Sequence, residues 1–96
     1  MAERLTPVQI FEVLREAGFT RDQAVNFTAI AMAESGGNPS AVGGGGAYRG
    51  KYQFDQGTWS SVGGSGDPAA APEAEQDQRA AMLYARAGSS PWPTCG

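Results

Sequence analysis

Histidine is absent from this 96-residue chain. Imidazole general bases and imidazole metal ligands are excluded with it. Cysteine is reduced to Cys95, so neither an internal disulfide nor a cysteine metal cluster can form. Positive charge is scarce, with seven Lys and Arg against ten Asp and Glu, and the pI is about 4.7. A phosphate backbone needs clustered cations, so no nucleic-acid partner is expected. No apolar run reaches the roughly 18 residues that would suggest a bilayer span, so no membrane insertion is expected. The opening MAERLTPVQIFEVLREAG interleaves charges with its apolar residues and lacks the apolar core of a signal peptide. The protein is therefore expected to act where it is made, to be carried out by a vehicle, or to be trimmed from a longer precursor. Carboxylates, hydroxyls, amides and aromatics remain to carry any chemistry; no cofactor and no metal site are expected.

What is present is a globular composition, 41% hydrophobic and 18% charged, despite 14 Gly and 6 Pro. The length fits one domain over residues 1–96. A chain this short buries only roughly 60–65% of its unfolded surface.

Thr6-Pro7-Val8-Gln9 reads as a helix start, with Thr6 as cap, Pro7 at the first helical position and Gln9 closing a capping box. Val8, Ile10, Phe11 and Leu14 follow at helical spacing, and Gly18 ends the helix near Ala17. Thr20-Arg21-Asp22-Gln23 repeats the start signal for a second helix, Arg21 to Ser35, with Ala24, Phe27, Ile30 and Ala31 as its core stripe. Gly36-Gly37-Asn38-Pro39 stops it. Residues 40–50 form a Gly-rich loop or hairpin, with Tyr48 to Phe54 as the returning strand. No GKS or GKT follows, so it is not a phosphate loop. Asp55 caps a short helix from Gln56 to Val62. A second loop runs to Pro68, with Asp67 in an Asx turn. Pro72 opens the last helix, to about Ala87, with acids early and Arg79 and Arg86 late, as the helix dipole favours. Ala74, Ala81, Met82 and Ala85 are expected as its packing face.

Glu34 is the anomaly in this pattern. It lies four residues past Ile30 and seven past Phe27, on an apolar helix face, directly before a break. The ordinary explanation is a solvent-exposed helix end, since most Glu are exposed. The alternative is chemical: a desolvated carboxyl has a raised pKa and stays protonated, which suits a general acid.

Three segments bear on that choice: Glu34-Ser35-Gly36-Gly37-Asn38, then Gly50-Lys51-Tyr52-Gln53-Phe54-Asp55-Gln56-Gly57-Thr58-Trp59, then Trp92-Pro93-Thr94-Cys95. In this order and spacing they resemble the catalytic domain of the resuscitation-promoting factors, over about residues 27–96. Thr6 to Ala41 also resembles the lysozyme-like domains of phage tail and tape-measure proteins. Both groups belong to the lysozyme-like superfamily of peptidoglycan-cleaving enzymes. The resemblance implies a mainly α (α+β lysozyme-like) fold, with about four helices, a small Gly-rich excursion after the second, and a cleft between them. It implies that Glu34 is the catalytic acid and that Ser35, as part of the family's Glu-Ser pair, helps set the acid and the substrate. Gln53 would face the cleft, and Trp59 would be cleft wall or core. Tyr48 and Tyr52 could stack on sugar rings, although Tyr52 replaces an aliphatic residue of the family. Trp92 is expected to pack.

The chain departs from the family in places. The family often has a Cys before the catalytic Glu, bridged to the terminal Cys. Here that position is Ala33, so Cys95 lacks its partner, which suits a reducing compartment and removes a staple. The family's Asn-Trp pair is Asn38-Pro39, and Asp55 stands where Ser or Thr is usual.

Glycoside cleavage generally uses two carboxylates. No acid after Glu34 is convincingly placed as the second, since Asp55 and Asp67 have capping and turn explanations. A lytic transglycosylase needs only one acid, because the substrate's own C6 hydroxyl is the nucleophile. The expected function is therefore cleavage of the MurNAc-GlcNAc bond with 1,6-anhydro-MurNAc formed. A hydrolytic muramidase, a glycan-binding module and a non-catalytic lysozyme-fold component of a phage tail are the alternatives. The expected partners are peptidoglycan strands and, for a delivered lysin, phage-tail or injection-system proteins. The Lys-poor, Ala/Gly-rich composition points to an actinobacterial setting.

Overall fold

The computed structural model describes residues 5–92. Cys95, and with it most of the Trp92-Pro93-Thr94-Cys95 segment, lies outside the described residues, as do residues 1–4. Both expected helix starts are built as read. Helix α1 (Pro7–Glu16) and helix α2 (Arg21–Ser35) each open on a complete capping box. Thr6 accepts from the Gln9 N–H while the Gln9 amide accepts from the Thr6 N–H, and Thr20 and Gln23 do the same. The α2 stripe of Ala24, Phe27, Ile30 and Ala31 is buried as expected. On α1, Ile10 and Leu14 enter the core, but Val8 is 66% exposed and not part of it.

After α2 the chain makes a small antiparallel ribbon, β1 (Val42–Gly43) and β2 (Tyr48–Arg49), in the register Val42 to Arg49 and Gly43 to Tyr48. The expected strand from Tyr48 to Phe54 does not run through. Gly50 (φ +90°) and Gln53 (φ +52°) both take the left-handed conformation, so the chain folds back and Phe54 pairs with Arg49. Lys51 and Tyr52 sit in that tight loop and are buried. Helix α3 (Gln56–Ser61) is capped by Asp55, which accepts from the Thr58 N–H at 2.7 Å. Asp67 accepts from Ala69 and so starts a 3-10 turn, Pro68–Ala70. Helix α4 (Glu73–Ala87) follows. The fold is mainly α with this one ribbon, and no helix among the described residues is long and apolar enough to cross a membrane.

One apolar core joins these elements. Phe27 meets Phe19, Tyr52 and Tyr84 edge-on, with ring centroids 5.7, 6.2 and 5.4 Å away. Trp92 stacks on Tyr84 and donates its indole N–H to the Tyr52 carbonyl, so it packs as expected.

The packing face of α4 differs from expectation. Ala74, Met82 and Ala85 are exposed and Ala81 is only partly buried; Gln76, Asp77, Ala80 and Leu83 face inward instead. The reason is a polar network. Lys51, with no exposed surface, donates from Nζ to Asp77 Oδ1 at 2.9 Å and to Glu73 Oε2 at 2.7 Å. The Tyr52 hydroxyl donates to the same Asp77 oxygen at 2.6 Å. Gln76 accepts from the Lys51 N–H and donates to the Pro39 and Ala71 carbonyls. Burial pushes the Asp77 carboxyl above its ordinary pKa, against the pull of Lys51 and the Tyr52 hydroxyl. Burial, then the Asp77 charge, pushes the Tyr52 phenol well above its own.

A buried ion pair costs most when one partner is removed. Lys51→Met should destabilise the fold by about 3–5 kcal/mol in urea unfolding, and Lys51→Met/Asp77→Asn should recover much of that loss. A Lys51→Met variant as stable as wild type would mean that the pair contributes nothing.

Candidate functional site

Glu34 lies in the last turn of α2 and is half-buried. Two effects act on its carboxyl in the same direction. Desolvation by burial raises its pKa above the ordinary glutamate value. The C-terminal end of a helix also carries partial negative charge, and the last turn of α2 contains no basic residue to offset it.

Every described carboxylate that follows Glu34 is engaged by a structural partner. Asp55 caps α3, Asp67 pairs with Arg49, Glu73 and Asp77 share Lys51, and Glu75 pairs with Arg79. Arg49 holds Asp67 through two nitrogens, which lowers the Asp67 pKa. Among the described residues, Glu34 is the one partly buried carboxylate with neither an ion pair nor a hydrogen bond.

The break after Glu34 is held by its neighbour. Gly36 takes the left-handed conformation that ends α2, and its N–H closes on the Met32 carbonyl. The Ser35 hydroxyl donates to the Ala31 carbonyl and accepts from the Gly37 and Asn38 N–H groups at 3.1 and 3.0 Å. Asn38 then accepts from the Ser40 N–H. Ser35 is thus a clamp on the turn that carries the chain from α2 to the ribbon.

A concavity of about 160 Å³ lies against that ribbon. It is lined by Tyr48, Tyr52, Gln53, Phe54, Asp55, Thr58, Leu83, Pro91 and Trp92. Of the residues expected to bind substrate, it brings together Tyr48, Tyr52 and Gln53. Glu34 and Ser35 are outside its lining and connect to it through the backbone: the Gln53 amide donates to the carbonyl of Ala41, three residues past the Asn38 turn. Tyr48 is 48% exposed and can meet a ligand. Tyr52 and Trp59 are each 0% exposed, so Tyr52 has no surface to stack on a sugar, contrary to expectation, and Trp59 is core, one of its two expected places. The Tyr52 ring is committed to Phe27 and Asp77. Trp59 packs under Phe54 with centroids 4.9 Å apart.

Thr58 and Leu83 line the concavity and were not singled out from the sequence. Thr58 stands inside the Gln56-Gly57-Thr58-Trp59 segment, which was signal enough. Leu83 follows Gln76 and Ala80 at helical spacing, but the more numerous alanines on the opposite face obscured that face.

A family profile described as the transglycosylase-like domain matches residues 21–95. Resuscitation-promoting factor RpfC of Mycobacterium tuberculosis is 46% identical over 71 residues, 74% of this chain and 50% of that one. Resuscitation-promoting factor RpfE of the same species is 44% identical over 73 residues, 76% of this chain and 42% of that one. The probable transglycosylase SceD of Staphylococcus carnosus is 50% identical over 70 residues, 69% of this chain and 30% of that one. The chain spans half or less of the length of these curated relatives.

Ser35→Ala should lower stability by about 1–2 kcal/mol, because the Asn38 N–H loses its acceptor and the Gly37 N–H keeps only its longer bond to the Ala31 carbonyl. The urea midpoint reads this. A variant of unchanged stability with weakened glycan binding would instead make Ser35 a sugar contact.

Proposed function

This chain belongs to the transglycosylase-like domain family, and on that premise we propose that it cleaves the β-1,4 bond between N-acetylmuramic acid and N-acetylglucosamine in peptidoglycan as a lytic transglycosylase. The observation that carries this reading is the isolation of Glu34. A carboxyl that is desolvated, sits at a helix's negative end and lacks a cation holds its proton to higher pH than an ordinary glutamate does. It can therefore deliver that proton to the glycosidic oxygen as the bond breaks. The resulting carboxylate then takes the proton of the muramic acid's own C6 hydroxyl, whose oxygen closes on C1 to give the 1,6-anhydro ring. Glu34 ends as it began, and no water is consumed.

The engagement of the later carboxylates supports one acid rather than two. Asp55 lines the concavity, yet one of its oxygens is held by the Thr58 N–H. Asp67 and Glu75 are each paired with an arginine, and Glu73 and Asp77 are both held by Lys51. A substrate that supplies its own nucleophile removes the need for a second free carboxylate. Tyr48 and Gln53 contribute the wall along which the glycan lies. A phage tail or injection apparatus as the vehicle belongs to the same proposal, and the chemistry does not depend on it.

The test is digestion of purified peptidoglycan by wild type and by Glu34→Gln, with the released fragments weighed. Anhydro-ended products, one water lighter than hydrolysis products, are expected from wild type. Glu34→Gln should lose about 10²–10⁴-fold in rate. Reducing-end products would turn the assignment to hydrolysis, with Asp55 as the base to examine.

A pH signature should accompany this. Because the folded-state pKa of Glu34 is raised, stability is lost as pH rises from the ordinary glutamate value to the raised one, and the loss is complete above it. Glu34→Gln should therefore be at least as stable as wild type at neutral pH. Any gain should vanish below the ordinary glutamate range, where both folded and unfolded states are protonated. Thermal unfolding at the two pH values reads this, and a neutral-pH loss on substitution would mean that ionised Glu34 has a stabilising partner.

A further inference from the structure

Gln53 is the one described residue other than glycine with a positive φ, +52°. A left-handed conformation costs a non-glycine residue of order 1 kcal/mol or more and persists where its surroundings impose it. Here the side chain supplies the constraint. Gln53 Nε2 donates to the Gly50 carbonyl at 3.0 Å and to the Ala41 carbonyl at 3.4 Å. Both amide protons are thereby spent on backbone, on the residues just before β1 and just after β2. The remaining polar atom, Oε1, accepts no hydrogen bond among the described residues, and it is not sealed from solvent.

The two carbonyl acceptors set the orientation, and Gly43 leaves the room for it. Oε1 lies over the Cα of Gly43, so close that a Cβ at that position would overlap it. Gly43 itself has φ −130° and ψ 175°, an ordinary extended conformation open to any residue. Its lack of a side chain is therefore needed for the space above it and not for its backbone.

We propose that Gly43 is a positioning residue that lets the Gln53 amide seat with both N–H groups turned into the backbone, so that this wall of the cleft offers a fixed acceptor and selects a hydrogen-bond donor on the glycan. This rests on the glycan-cleaving reading above. The chemistry recognised is a sugar hydroxyl or an acetamido N–H. Gly43 acts only through Gln53, and its effect therefore disappears when the amide is removed.

The test is a double-mutant cycle on peptidoglycan cleavage, Gly43→Ala, Gln53→Ala and the pair, with the side-chain NH2 resonances of Gln53 recorded in parallel. Ala at position 53 keeps the left-handed backbone cost and removes only the amide. Each single variant should lower kcat/KM by about 3- to 10-fold, the value of one neutral hydrogen bond. Gly43→Ala should cost nothing further in the Gln53→Ala background. In the otherwise wild-type background, Gly43→Ala should keep its melting temperature and move the Gln53 NH2 resonances to those of free glutamine amides. Unchanged resonances overturn the proposal, as does an equal cost of Gly43→Ala in both backgrounds. Loss of folding in Gly43→Ala would also overturn it, since more than an amide tip would then fill the space. If wild type releases no fragments, the glycan-cleaving reading fails, while the resonances still decide whether Gly43 sets the amide.

Discussion

Lys51 is an ammonium group with no exposed surface, and the ribbon's place in the fold follows from what it needs. It meets two carboxylates of one helix, Glu73 and Asp77, while its own N–H is taken by Gln76 between them. Gln76 reaches on to Pro39, at the far end of the turn that leaves α2. A single turn of α4 therefore holds both ends of the ribbon excursion. Without this network, a four-residue fold-back beside a run of glycines would have little apolar surface to hold it. Asp77 Oδ2 remains buried with no partner among the described residues, a cost set against the rest of the network.

The same economy governs Glu34. Each described carboxylate after α2 is held by a cation or a helix N-terminus, and the last turn of α2 has no basic residue to hold Glu34. The break that follows has two consequences. Gly36 and the Ser35 hydroxyl satisfy the open carbonyls and N–H groups of the helix end, so the acid's backbone is fixed while its side chain is unclaimed. The turn also sends the chain toward Ala41, whose carbonyl receives the Gln53 amide. Acid and wall are joined by a hydrogen-bonded turn over a short path, which is how a small domain can keep a reacting group in register with a bound glycan.

Much of this was legible in the sequence, because local rules decided it. The two capping boxes, the α2 stripe and the Asp55 cap all follow from residues within one or two turns of each other. The isolation of Glu34 at the end of an apolar face was legible for the same reason. The long-range pairing was not. Lys51, Gln76 and Asp77 are polar and read as surface, yet they are buried because they satisfy one another across the fold. That pairing turned α4 by part of a turn from its expected face and drew Tyr52 inward. Trp59 was left open between wall and core, and the choice was made by Phe54 and Gly64, which leave its indole no exposed face. The strand expected through Phe54 stops at Gly50 and folds back at Gln53, whose left-handed backbone no β-propensity would suggest.

The central claim is that Glu34 keeps its proton longer than an ordinary glutamate. A carbon-detected NMR titration of the side-chain carboxyls, with Glu34 assigned by comparison with Glu34→Gln, measures this directly. The midpoint of Glu34 should lie above the ordinary glutamate value of about 4.3. A midpoint at or below that value would contradict the claim, and with it the assignment of Glu34 as the acid poised to protonate a glycosidic oxygen.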